Sequence, residues 1–111
     1  MESILTSIKK MVGVSADDDS FDTDIIIHIN TALADLAKLG VGPSEGFSIQ
    51  DSNAIWTDFI PHDPLFESIK TYIYIQVKLV FDPPQNSAHL KALEDKAKKL
   101  EWDLNITAET R

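Results

Sequence analysis

One run limits what this chain can fold into: Pro64 to Phe81, PLFESIKTYIYIQVKLVF, closed by Asp82-Pro83-Pro84. Its Ile, Val and Tyr content suits a strand, and residues 72–81 roughly alternate. Two facts favour a helix. The run has no internal turn signal and is far longer than a typical strand of about 5–6 residues. Its polar residues Glu67, Lys70, Thr71, Tyr74 and Lys78 also form one stripe at spacings of three and four. A narrow polar stripe on an otherwise apolar helix means burial on most sides, so this run is predicted to be the central element. Asp63-Pro64 offers a capping residue and then proline at the first helical position. At the other end proline cannot continue a helix, and the residue before a proline is pushed out of the helical region. Asp82-Pro83-Pro84 is therefore read as a sharp corner between two packed helices.

The other elements arrange themselves around that run. Glu2 to Val12 carries Ile4, Leu5, Ile8, Met11 and Val12 at helical spacing, and Gly13 stops it. An acidic loop, residues 15–22, follows, with Asp22 or Thr23 as cap of the next helix. That helix runs to Leu39 with Ile26, Ile29, Leu33 and Leu36 on one face, and Gly40 suits the position after its end. Residues 40–52 read as a long loop in which Phe47-Ser48-Ile49 forms a short extended piece. Ser52 is expected to cap a short helix, Asn53 to Phe59, that Pro61 ends. Ser87 is expected to cap the last helix, where Leu90, Leu93, Ala97, Leu100 and Leu104 follow a 3-4-3-4 seam. The expected fold is all-α: a compact bundle of four to five helices with one long loop between the second helix and a short third. A single domain, 1–104, would carry a mobile tail, 105–111. A chain of 111 residues suits one such domain.

Composition excludes several functions. Formal net charge is −8, so the basic face expected of a tight nucleic-acid binder is missing. There is no cysteine and hence no disulfide or thiolate metal site. The apolar stretches are broken by Lys, Gln and Thr well short of the ~20 residues that span a bilayer, so no membrane partner is expected. Counting a calcium loop from Asp17 puts Phe21 at the fifth position, and counting from Asp18 puts Thr23 where glycine should be and Ile29 where glutamate should be, so the match fails. His28, His62 and His89 have no metal-ligand spacing, and there is no GxSxG, GxGxxG or phosphate-cradling loop. Lys91, Lys96, Lys98 and Lys99 are offset by Glu94, Asp95, Glu101 and Asp103, which reads as a solvated salt-bridge face. No catalytic, cofactor-binding or metal-binding residue is assigned. An enzyme would need a carboxylate site from Asp58, His62 and Asp63. A small helical DNA-binding regulator is the other alternative, and the charge opposes it. Phe47, Ile49, Trp56 and Phe59 lie in or beside the long loop and either fill the core or contact a partner. Trp102 lies off the leucine seam, so it either widens that face or docks another subunit.

The chain resembles the small head–tail connector proteins of tailed bacteriophages, the head-completion or DNA-packaging adaptors, in the form carried by phages and prophages of Gram-positive bacteria. The matching features are ILTSIKKMVGV, FDTDIIIHINTALADLAKLGVGP, the GFSI loop, W-x-D-F, IKTYIYIQVKLVFDPPQNS and the closing LEWDLN. Their order and spacing carry the resemblance across nearly the whole chain. It implies a structural, non-enzymatic subunit that forms a ring with itself, dodecameric in the virion. The ring would sit between the portal protein and a tail or stopper protein. It extends the channel through which DNA passes without specific binding, in a virion neck assembled in the host cytoplasm. It further implies that the C-terminal tail, with Asn105, Ile106 and Arg111, meets the portal, and that residues 41–52 face a partner.

Overall fold

A computed structural model describes residues 2–60 and 64–109. Five helices follow one another: α1 (Ile4–Met11), α2 (Asp22–Lys38), α3 (Trp56–Phe59), α4 (Phe66–Phe81) and α5 (Ser87–Glu109). No strand forms among the described residues, and one antiparallel bridge joins Ser3 to Ile55. The fold is all-α, as the sequence implies.

The long apolar run is the central helix. Ile69, Tyr72, Ile73, Ile75 and Val77 of α4 are buried, and α4 contacts α1, α2 and α5. The helix begins at Phe66 rather than Pro64; the Leu65 carbonyl accepts the Ile69 N–H at 2.9 Å. Asp63, expected to cap it, and Pro61 lie outside the described residues. Phe21 at the start of α2 meets Phe81 at the end of α4 edge-on, with ring centroids 5.5 Å apart. The two helices are therefore antiparallel. The corner at Asp82–Asn86 then reverses the chain, so α5 runs antiparallel to α4 and parallel to α2. The subunit is a flat body of 39 × 35 × 19 Å.

The first two helices end the same way. After α2, Gly40 N–H reaches the Ala37 carbonyl at 3.1 Å and Val41 N–H the Leu36 carbonyl at 2.9 Å. After α1, Gly13 and Val14 repeat the pattern onto Lys10 and Lys9 at 3.2 and 2.8 Å. Both glycines have positive φ, and the valine that follows tucks back toward the helix it has just left. The shared Gly-Val dipeptide is the local code for that reversal.

Several expected boundaries move, each for a tertiary reason. Asp22 is the first residue of α2 and Phe21 the residue before it; neither Asp22 nor Thr23 caps the helix, because the Asp22 carboxylate is turned to Lys9, 2.8 Å away. The buried face of α2 uses Ile25 and Ala32 with Ile29, Leu33 and Leu36, and Ile26 is only half-buried. The short helix starts at Trp56, not Asn53, because Ala54 and Ile55 are extended beside α1, where the Ile4 N–H donates to the Ala54 carbonyl at 3.0 Å. Asn86 rather than Ser87 caps α5: its Oδ1 accepts from the Ala88 and His89 N–H groups at 2.9 and 3.1 Å. On the α5 seam Ala97, Leu100 and Leu104 are buried, while Leu90 and Leu93 are half-buried. The helix does not end after Leu104 but continues to Glu109. There Ala108 lies so close to Gly40 that a β-carbon on the glycine would sit 3.2 Å from it.

Candidate functional site

The aromatic residues of the loop face inward. Ile49, Trp56 and Phe59 belong to the core, and half-buried Phe47 leans on Phe59 with centroids 5.3 Å apart. Gly42 allows this approach: at φ 93°, a β-carbon there would meet Phe59 Cε1 at 2.5 Å. The expected extended piece at Phe47–Ile49 forms no strand, since its partner is a side chain. Asn30 Nδ2 donates to the Ile49 carbonyl at 2.9 Å, and the Ile49 N–H donates to Asn30 Oδ1 at 2.8 Å. One amide thus satisfies both backbone groups of Ile49, as a neighbouring strand would. In the sequence Asn30 closes the D-x-D-I-I-x-x-I-N stretch of the family resemblance without an assigned role; its local signal is a polar group one residue past core Ile29.

Trp56 is fixed through a second relay. Its Nε1 donates to Ser7 Oγ at 3.0 Å, and the Ser7 hydroxyl lies against the Glu2 carboxylate. Ser7 holds the Glu2 carboxyl below its ordinary pKa, with burial opposing and Lys10 assisting. The Trp56 ring also meets Phe66 edge-on at 5.4 Å. Asp58, a candidate catalytic carboxylate, accepts the Ile55 N–H at 3.0 Å and so steadies the start of α3. Its supposed companions His62 and Asp63 lie outside the described residues. His28 is half-buried on α2 and His89 is exposed.

The acidic loop is tied at its ends and open at its tip. Lys9 is only 3 % exposed; its Nζ contacts Asp22 Oδ1 at 2.8 Å and donates to the Ala16 carbonyl at 3.3 Å. Between these anchors Asp17, Asp18 and Asp19 are exposed beside Phe21. Asp18 accepts from both the hydroxyl and the N–H of Ser20, and these bonds hold its carboxyl below the usual range. Among the described residues no three His, Cys, Asp or Glu side chains gather as metal ligands would.

A cleft of about 230 Å³ opens between α2, α4 and α5, lined by Asp35, Lys38, Leu39, Tyr72 and Glu101. Tyr72 OH donates to Glu101 Oε1 at 2.9 Å. Burial, then the Glu101 carboxylate, pushes the tyrosine hydroxyl far above its ordinary pKa, so Tyr72 works as a fixed neutral donor joining α4 to α5. The apolar surface lies elsewhere. Trp102 is 68 % and Ile106 41 % exposed, one helical turn apart on α5. With Lys91, Asp95 and Lys98 they form the stripe opposite the Ala97–Leu100–Leu104 seam. Trp102 therefore does not widen the leucine face. Asn105 is half-buried beside it, and Arg111 lies outside the described residues. At the opposite end of the bundle Phe21 and Val80 are exposed, 42 % and 61 %. Of the sequence-selected residues, the fold gathers Ile49, Trp56 and Phe59 inside, with Phe47 half-buried against them, and leaves Trp102 and Ile106 apart on the surface.

A family model described as phage connector protein matches residues 4–111. No curated protein and no solved structure matches the chain.

Proposed function

The chain belongs to the phage connector protein family, a structural family of the virion neck, and on that premise we propose that it is the ring-forming adaptor between the portal vertex and the tail or stopper protein. Copies of the chain, twelve in the virion by the family resemblance, surround and extend the DNA channel. The observation that carries this reading is the family match, which runs the length of the described fold. The surface chemistry is consistent with it. A net charge of −8 lets DNA slide past without gripping phosphate. No described helix is long and apolar enough to cross a membrane.

Within this reading the sites divide by exposure. Trp102 meets a neighbouring subunit, and the C-terminal segment, with Asn105 and Ile106 on α5 and Arg111 beyond the described residues, meets the portal. Phe47 and the 41–52 loop face a partner, while Ile49, Trp56 and Phe59 set the loop's shape from within. The protein uses no cofactor and performs no catalysis.

Negative-stain electron microscopy of the purified chain, alone and with its cognate portal, tests the proposal. Rings in either sample, above all rings capping the portal, are the expected result. Absence of both rings and portal binding across a wide concentration range would sink it.

A further inference from the structure

The geometry points to a head-to-tail contact between copies of this chain, in which the outward α5 stripe around Lys98 and Trp102 docks on the acidic Phe21–Val80 corner of the next copy. The inference rests on the ring reading above and names the two surfaces that make the ring.

Of the exposed large hydrophobics, which also include Met11 and Ile27, two pairs lie toward opposite ends of one bundle. Trp102 and Ile106 mark one; Phe21 and Val80, beside the Pro83-Pro84 corner, mark the other. Fifteen residues of helix separate Ser87, at that corner, from Trp102, roughly 22 Å at ~1.5 Å per residue. Neither patch can cover the other within one subunit. A surface that pairs with a different surface on an identical neighbour is a heterologous contact, and such contacts generate rings when the rotation closes. Two unlike patches on one chain are what this arrangement requires.

Charge selects the same pairing. In a chain of net charge −8, the outward α5 stripe is locally basic: Lys91 and Lys98 against Asp95, flanked by the Lys99–Asp103 pair. Lys91 and Lys99 already have carboxylates within reach, 3.6 and 3.9 Å away. Lys98, one turn before Trp102, makes no ion pair among the described residues. Around Phe21 the balance is inverted. Residues 15–24 hold five aspartates and no base; Lys9 reaches Asp22, and exposed Asp17 and Asp19 pair with no cation among the described residues. Two α5 stripes set face to face would offer Lys98 only Asp95, which Lys91 already holds, and two acidic corners would repel. Only the unlike pairing joins an aromatic anchor to an aromatic edge while bringing Lys98 to the aspartates.

The test uses two full-length variants with an exposed site changed in each, Lys98→Glu/Trp102→Ala and Asp17→Lys/Asp19→Lys, with circular dichroism confirming that both fold. Sedimentation velocity reads self-association, on the portal if the wild type assembles only there. Each variant alone is expected to associate at least ~10-fold more weakly than the wild type, as loss of a central anchor does. Mixed one to one, they should form a heterodimer, because the mixture pairs one intact α5 stripe with one intact acidic corner. The inference is overturned if the aspartate variant assembles like the wild type, or if both variants fail alone and also fail together. A wild type that assembles neither alone nor on the portal would instead bring down the ring reading, and this inference with it.

Discussion

Trp56 and Trp102 are the chain's two tryptophans, 1 % and 68 % exposed. Trp56 sits on a helix of four residues, Trp102 on one of 23. The shorter element holds the buried ring because α3 has no stability of its own. It is a wedge, kept in place by Ser7, Phe66 and the core around Phe59. The longer helix is already anchored by its seam and by Tyr72, so its outer stripe is free to carry an aromatic that the fold does not use. An element that depends on the core spends its aromatic inside, and an element secured elsewhere can present one outside.

That contrast can be broken by measurement. Trp56→Ala should cost about 3–5 kcal/mol in chemical denaturation, the usual penalty for emptying a large aromatic site; a loss below about 1 kcal/mol would mean the wedge is dispensable. Gly42→Ala should follow at roughly 2–3 kcal/mol, since the new methyl would strike Phe59 and the backbone there has positive φ. A thermal melt unchanged from wild type would show that the loop is not clamped on that ring. Ser7→Ala leaves the buried Trp56 N–H without its acceptor and should cost about 1–3 kcal/mol, with a matching change in tryptophan fluorescence.

Tyr72→Phe removes the α4–α5 hydrogen bond and should cost about 0.5–1.5 kcal/mol at neutral pH. Its pH dependence sharpens the test. The folded hydroxyl has a raised pKa, so its contribution is fully present below the ordinary tyrosine value of about 10 and is lost as pH rises toward the folded value. Wild type should therefore lose stability in alkali above that point, and Tyr72→Phe should lose less. Parallel alkaline curves would remove Tyr72 as the cause. Trp102→Ala is the smallest effect: within ~0.5 kcal/mol on the isolated subunit, measured by the same denaturation. A large loss there would place Trp102 in the fold and undo the comparison.

Much of the architecture was legible in the residues. The polar stripe of α4 gave a helix despite its strand-like composition, because spacing reports a helix face more directly than propensity does. Gly13 and Gly40 marked helix ends because each reversal needs positive φ. The caps were harder to read. Asp22, Ser52 and Ser87 all look like capping residues, but Asp22 answers to Lys9, Ala54–Ile55 answers to α1, and Asn86 comes one residue earlier. A cap is a choice among neighbouring polar groups, and distant partners settle it.

By itself the sequence determined the helix order, the central run, the acidic character and the family resemblance, since each is written in local spacing and charge. Only the tertiary structure decided which of the apolar candidates face inward. Phe47, Ile49, Trp56 and Phe59 on one side and Trp102 on the other are equally apolar as letters. Asn30 and Ser7, remote in sequence, and Gly42, which lets Phe59 approach, draw the first group onto the core, whereas the geometry of a straight helix leaves Trp102 on the side its seam does not use. Burial is a property of what comes together, and residues far apart along the chain supply it.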